Sequence, residues 1–181
     1  VNAARAITLS DPLGSGDDAI EEMLQHNLLT ALRLSQQVAR RMIAQASREA
    51  GPPAQAGAIV NLSSIAARRT QPELLGYSVA CAAVDQMTRS LAVALAPKRI
   101  RVNAVAFGSV MSASLQARLQ ERGDLRAEIL GHTPMGRIAA PTELAEAVQF
   151  LASDAAGFLT GQVVTVDGGR TLIDPACAPA H

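Results

Sequence analysis

The residues best suited to chemistry crowd into one stretch, 59–81 (IVNLSSIAARRTQPELLGYSVAC). Ser63 and Ser64 close an aliphatic run, and Tyr77, the only tyrosine in the chain, stands thirteen positions beyond Ser64. That separation lets a strand end and a helix start carry two hydroxyls over one pocket, where they can hydrogen-bond an oxygen and exchange a proton with it. A free phenol titrates near pH ~10, too high for efficient exchange at neutral pH. A nearby cation would lower it by ~1–3 units. Residue 81 shares the helix face of Tyr77, but it is Cys81, a thiol whose ordinary pKa is ~8.5 and whose ionised form has the wrong sign. Arg68 and Arg69 in the intervening loop are the nearest substitute cations. Cys81 itself reads most simply as a small buried residue in an alanine-rich helix. A catalytic thiol would need a basic partner, and His26 and His132 read as surface or hydrogen-bonded histidines.

Composition removes several function classes. Nearly half of the 181 residues are apolar, enough for one full domain core, while aromatics make up only 2%. Formal net charge is zero, and no basic cluster marks a nucleic-acid footprint. One Tyr, three Phe and no Trp leave nothing on which bases could stack. No apolar run reaches the ~18 residues of a membrane span. Cys81 and Cys177 match no metal or redox spacing and read as reduced thiols of a cytoplasmic protein. Three histidines without ligand spacing give no metal site.

The elements that must position the hydroxyls follow from periodicity. Turn chemistry in LSDPLGSGDD precedes a helix over 18–50, with Asp18 as cap and Gly51-Pro52-Pro53 as stop. Asn27 sits on or beside its apolar face. Residues 58–62 are a buried strand in which Asn61 is structural. A loop over 68–76 leads to a helix over 77–96, ended by Pro97, and a second buried strand over 100–105. Two short helices, 112–122 and 125–130, are parted by Gly123; Pro141 opens a helix to 152, and a last strand spans 162–166. The tail after Asp174, with Pro175 and Pro179, reads as loose. Strands alternating with helices predict an α/β fold with a doubly wound parallel sheet. Ligands of such sheets bind beyond the carboxyl ends of the strands, where Ser63, Ser64 and segment 106–112 fall.

This pattern resembles the short-chain dehydrogenase/reductase family, whose signature is a Ser followed by Tyr-x-x-x-Lys. Val1-Asn2-Ala3-Ala4-Arg5 is similar to its Val-Asn-Asn-Ala-Gly, with Asn2 and Ala4 matching. Phe107-Gly108 stands for its Pro-Gly. Thr160-Gly161 and Val166-Asp167-Gly168-Gly169 reproduce its closing block. The resemblance implies a Rossmann-like domain, NADP or NAD as cofactor, a carbonyl or alcohol substrate, and homodimers or homotetramers paired through the two long helices. It makes Tyr77 the acid, Ser64 the donor to the substrate oxygen, Asn27 the holder of a proton-relay water, and Cys81 the occupant of the lysine position. Asn2, Ala4, Ser63, Tyr77, Gly108, Val110 and Ser112 become cofactor neighbours, and residues 112–134 a substrate lid.

The family's first strands and their Gly-rich diphosphate turn have no counterpart. Gly14-Ser15-Gly16 follows no strand and is a turn, so a piece of a longer chain is expected. Two functions compete: a nicotinamide oxidoreductase impaired by Cys81, and a non-catalytic descendant kept for binding or assembly, as the joint departures at Ala3, Arg5, Cys81 and Phe107 would allow.

Overall fold

Two aliphatic runs pair along their whole lengths. In the computed structural model, which describes residues 6–9, 11–13, 19–49, 51 and 53–174, β1 (Gly57–Ser64) lies parallel to β2 (Ile100–Phe107). Gly57 stands opposite Ile100 and Ser64 opposite Phe107. β3 (Val163–Val166) pairs with the other side of β2, also in parallel, giving the order β1-β2-β3. Strands buried on both faces read as near-continuous apolar runs rather than alternations. Accordingly Ile59, Ile100 and Val102 pack with Ala39 and Ala92 on one face, while Val60 and Val105 pack with Leu151 on the other.

The helices that cover these faces are α2 (Thr30–Ala46) and α3 (Leu75–Leu95) on the first, and α6 (Pro141–Ala152) on the second. Parallel neighbours require long crossovers. α3 supplies the one from β1 to β2, and α4 (Ala113–Glu121), α5 (Leu125–Gly131) and α6 occupy the one from β2 to β3. The doubly wound parallel arrangement read from the sequence is therefore present.

Three boundaries differ from expectation. Both strands run two residues further than the apolar runs, because full register with the partner carries pairing to Ser64 and Phe107. α3 begins at Leu75, two residues before Tyr77, its first turn closed by the Ser78 amide donating to the Leu74 carbonyl at 2.8 Å. The first long helix ends at Ala46, where the Ser47 hydroxyl donates back to the Ala44 carbonyl, before the Gly-Pro-Pro stop is reached. That helix also enters through α1 (Ile20–Met23) and a π-helical segment, Leu24–Leu29. The hydroxyl of Thr30 donates to the Gln25 carbonyl, five residues back, at 3.0 Å. The proposed cap Asp18 and the tail from Pro175 lie outside the described residues.

One composition-based exclusion needs correcting. The helical run Leu75–Lys98 is long and apolar enough to cross a membrane by length and composition. Here it is the core helix, with Ser78, Asp85 and Thr88 buried along it. Thr88 accepts from the Asn61 amide at 3.0 Å, and Asn61 accepts from Ser35, so Asn61 stitches β1 to both helices as a structural residue.

Candidate active site

β1 ends on Ser64, and the chain then turns through a 3-10 turn, Ile65–Ala67, which Ser64 caps by accepting from the Ala66 amide at 3.2 Å. α3 brings Tyr77 back in its first turn. Both side chains line one cavity of about 490 Å³ at the carboxyl ends of β1 and β2. Tyr77 is only 3% exposed. The Ser64 hydroxyl donates to the Phe107 carbonyl across a long 3.5 Å, a weak hold that a better acceptor in the cavity could replace. Ser64 and Tyr77 thus border one cavity.

Phe107 closes β2 and, with Gly108 and Ser109, lines the same cavity. Gly108 is a glycine for packing reasons: a Cβ there would meet the Asp167 Cβ at 3.0 Å and its Cα at 3.1 Å. The Asp167 turn is itself built by two left-handed glycines, Gly168 (φ 63°) and Gly169 (φ 85°). Asp167 accepts from the Gly169 amide at 2.9 Å and from the Thr171 amide at 2.8 Å. The closing block that ends at Gly169 delivers Arg170 to the cavity, where its Nη1 donates to Ser109 Oγ at 2.9 Å.

Other predicted site residues sit elsewhere. Cys81 is fully buried among Met23, Ala66, Tyr77 and Ala80, and its thiol is not on the cavity wall. Ser63 is also fully buried, with its hydroxyl donating to the Cys81 carbonyl at 3.4 Å, which turns it into α3 and away from the cavity. Asn27 lies in the π-helical segment with its amide bound on both sides by the backbone of Ala6: it accepts from the Ala6 amide at 2.8 Å and donates to its carbonyl at 2.9 Å. Val110 forms an isolated parallel bridge with Ala139. Ser112 caps α4 by accepting from the Leu115 amide at 3.2 Å. Neither lines the cavity. Asn2 and Ala4 lie outside the described residues.

Several lining residues carried no sequence signal. Arg118 comes from α4, and Glu128 from α5 with His132 just after it, so three residues of segment 112–134 line the cavity. His132 Nδ1 lies 2.9 Å from the Glu128 carbonyl. A carbonyl only accepts, so Nδ1 carries the hydrogen there and Nε2 is left for other partners. Of the two substitute cations considered, Arg69 lines the cavity and Arg68 does not; an Arg69 guanidinium nitrogen donates to the Thr171 carbonyl. Among the described residues no cluster of His, Cys, Asp and Glu could hold a metal ion.

Comparison with known proteins gives this geometry its context. The sequence model of a family described as enoyl-(acyl carrier protein) reductase matches residues 2–171. A galactitol 2-dehydrogenase (L-tagatose-forming) from Cereibacter sphaeroides is 36% identical over 174 residues, 95% of this chain and 65% of that protein. A cis-4-hydroxycyclohexanecarboxylate dehydrogenase from Sinomonas cyclohexanicum is 48% identical over 120 residues, 65% of this chain and 46% of that protein. The crystal structure of a gluconate 5-dehydrogenase from Burkholderia cenocepacia in complex with NADP and tartrate superposes with a TM-score of 0.83 at 27% identity, over 94% of this chain and 63% of that one. A 4-hydroxyisoleucine dehydrogenase complexed with NADH gives 0.79 at 25% identity, over 96% and 68%. The chain therefore spans about half to two thirds of the length of these curated relatives.

Proposed function

Because the chain belongs to the short-chain dehydrogenase/reductase family, we propose that the protein carrying it moves hydride between a nicotinamide cofactor, NADP or NAD, and a small carbonyl or alcohol. The observation that carries this reading is the placement of Ser64 and Tyr77 on one cavity wall at the carboxyl ends of parallel strands. Relatives named as dehydrogenases, and solved structures holding NADP or NADH, support it.

Gly108 and Ser109 line the same cavity as Ser64 and Tyr77, which supports seating the nicotinamide end of such a cofactor there. Of the positions expected to hold it after β2, Gly108 lines this cavity and is the one proposed to do so, while Val110 and Ser112 lie off its wall. Bound there, the cofactor supplies or accepts the hydride. Ser64 releases its long bond to the Phe107 carbonyl and donates to the substrate oxygen. Tyr77 gives its phenolic proton to that oxygen as charge develops, and takes one in the oxidative direction. Copies of the chain are proposed to pair through α2 and α3, where Leu34, Val79 and Val93 remain exposed.

Cys81 favours slow chemistry. The position one turn beyond Tyr77 holds a buried cysteine, which brings no cation, so the ~1–3 units by which a neighbouring cation lowers a phenol are missing from that side. The test is nicotinamide turnover across carbonyl and alcohol panels, with Cys81→Lys beside the natural sequence. Hydride transfer predicts measurable turnover and a gain of roughly tenfold or more in the variant. No turnover in either, with the fold intact and cofactor bound, would favour a binding or assembly role.

A further inference from the structure

Three arginines line the cavity that holds Ser64 and Tyr77: Arg69 from the loop after β1, Arg118 from α4 and Arg170 from the turn after β3. Among the described lining residues one carboxylate, Glu128, faces them, and it lies 3.6 Å from Arg122, which is not on the wall. The ion pairs among the described residues are Arg122–Asp124, Arg122–Glu128 and Arg137–Glu143, so no lining arginine is neutralised by an acid there. Arg170 and Arg69 are instead steadied by neutral acceptors, Ser109 Oγ and the Thr171 carbonyl. Thr171 is in turn tied down by Asp167. Such anchoring aims a guanidinium while using one of its five N–H donors. The remaining donors form a fork suited to a carboxylate or phosphate.

We infer that the substrate of this site carries an anionic group, a carboxylate or phosphate, bound by Arg170 and Arg118 with Arg69 while its carbonyl or hydroxyl lies at Ser64 and Tyr77. The inference rests on the hydride-transfer reading for the reacting end of the molecule. The charged end stands on the arginines alone. The same chemistry could come from a phosphate of the cofactor, and the experiment separates the two sources.

Full-length protein is assayed with lactate, malate and mandelate, each beside its neutral amide, and with glycerol phosphate beside glycerol. Binding of each member of a pair is measured by calorimetry whether or not it turns over. Cofactor affinity is measured separately by fluorescence titration. Arg170→Gln, Arg118→Gln and Arg170→Lys are compared, with Arg89→Gln on the exposed face of α3 as the control for a lost surface charge. The expected result is at least one charged ligand preferred over its neutral partner by about ten- to a hundredfold. That preference collapses in Arg170→Gln, is partly kept in Arg170→Lys, weakens at high salt, and leaves cofactor affinity unchanged. Preferential binding without turnover would uphold the anion site and sink the hydride-transfer reading. Equal binding of charged and neutral partners would overturn the inference. So would a loss confined to cofactor affinity in the glutamine variants, which would assign the arginines to the nucleotide.

Discussion

The sheet has a cavity and arginines at each end, and the two ends use them differently. At the amino ends of β1 and β2 the cavity is the larger, about 730 Å³, and is walled by Arg99, Arg101, Asp154 and Phe158 among others. At the carboxyl ends it is about 490 Å³ and holds Arg69, Arg118 and Arg170 with the two hydroxyls. Arg101 is only 6% exposed, and its donors are consumed by the fold. Nε donates to Gln55 at 2.6 Å, Nη1 to the Leu151 and Leu159 carbonyls at 2.8 and 3.4 Å, and Nη2 to the Ser153 carbonyl at 3.0 Å. Burial pulls this guanidinium below its usual pKa, and Asp154 draws it partly back. The arginine anchors at the other end leave donors to spare. Cavity size is therefore a poor guide to chemistry here. The count of donors left over separates the structural end from the end proposed to be reactive.

That contrast can be broken by substitution. Arg101→Met should remove donors from three carbonyls and destabilise the protein by about 3 kcal/mol, read as a lower urea midpoint. Arg69→Gln should move stability by less than about 0.5 kcal/mol; equal losses in the two variants would erase the distinction. Asn103→Ala comes next. Asn103 donates to the Leu159 carbonyl at 2.8 Å and accepts from the Gln162 amide at 3.0 Å, which fixes the turn into β3. Its loss should cost about 2 kcal/mol.

The smallest expected effect is at Glu143, near the start of α6. It accepts from the Ala140 amide at 2.8 Å and is gripped by both Arg137 nitrogens at 2.7 and 2.6 Å. Chiefly through Arg137, its pKa is held down to about 2. A depressed carboxylate stabilises the fold above its unfolded value of ~4.3 and loses that contribution as pH falls toward the folded one. The Tm gap between the natural protein and Glu143→Gln should be present at neutral pH and close between about pH 4.5 and 2. Because the pair is exposed, the gap should be small and shrink with salt. A gap that widened on acidification would contradict this assignment.

What the sequence revealed, and what it hid, follows the range of the interactions. β1 and β2 were legible because burial on both faces demands unbroken apolar runs, and the shared cavity of Ser64 and Tyr77 was legible because both flank one loop. The π-helical segment was not, since it rests on backbone bonding five residues back, as where the Thr30 amide donates to the Gln25 carbonyl. Nor was the engagement of Asn27, whose partner Ala6 lies twenty-one residues away. The turn at Gly168-Gly169 was recognisable as a motif, yet its delivery of Arg170 to the cavity was not. That delivery requires β3 to lie beside β2, a pairing 59 residues apart in the Ala104–Val163 register. Arg118 and His132 look like any surface residues until α4 and α5 are placed over the strand ends.

The claim beneath all of this is that the Tyr77 phenol exchanges the proton of the reaction. Nicotinamide turnover by full-length protein carrying Tyr77→Phe tests it most directly. With cofactor binding and folding unchanged, the rate should fall by roughly 10²–10⁴-fold, the usual contribution of a positioned acid or base. Turnover at the natural rate in the Tyr77→Phe protein would contradict the account.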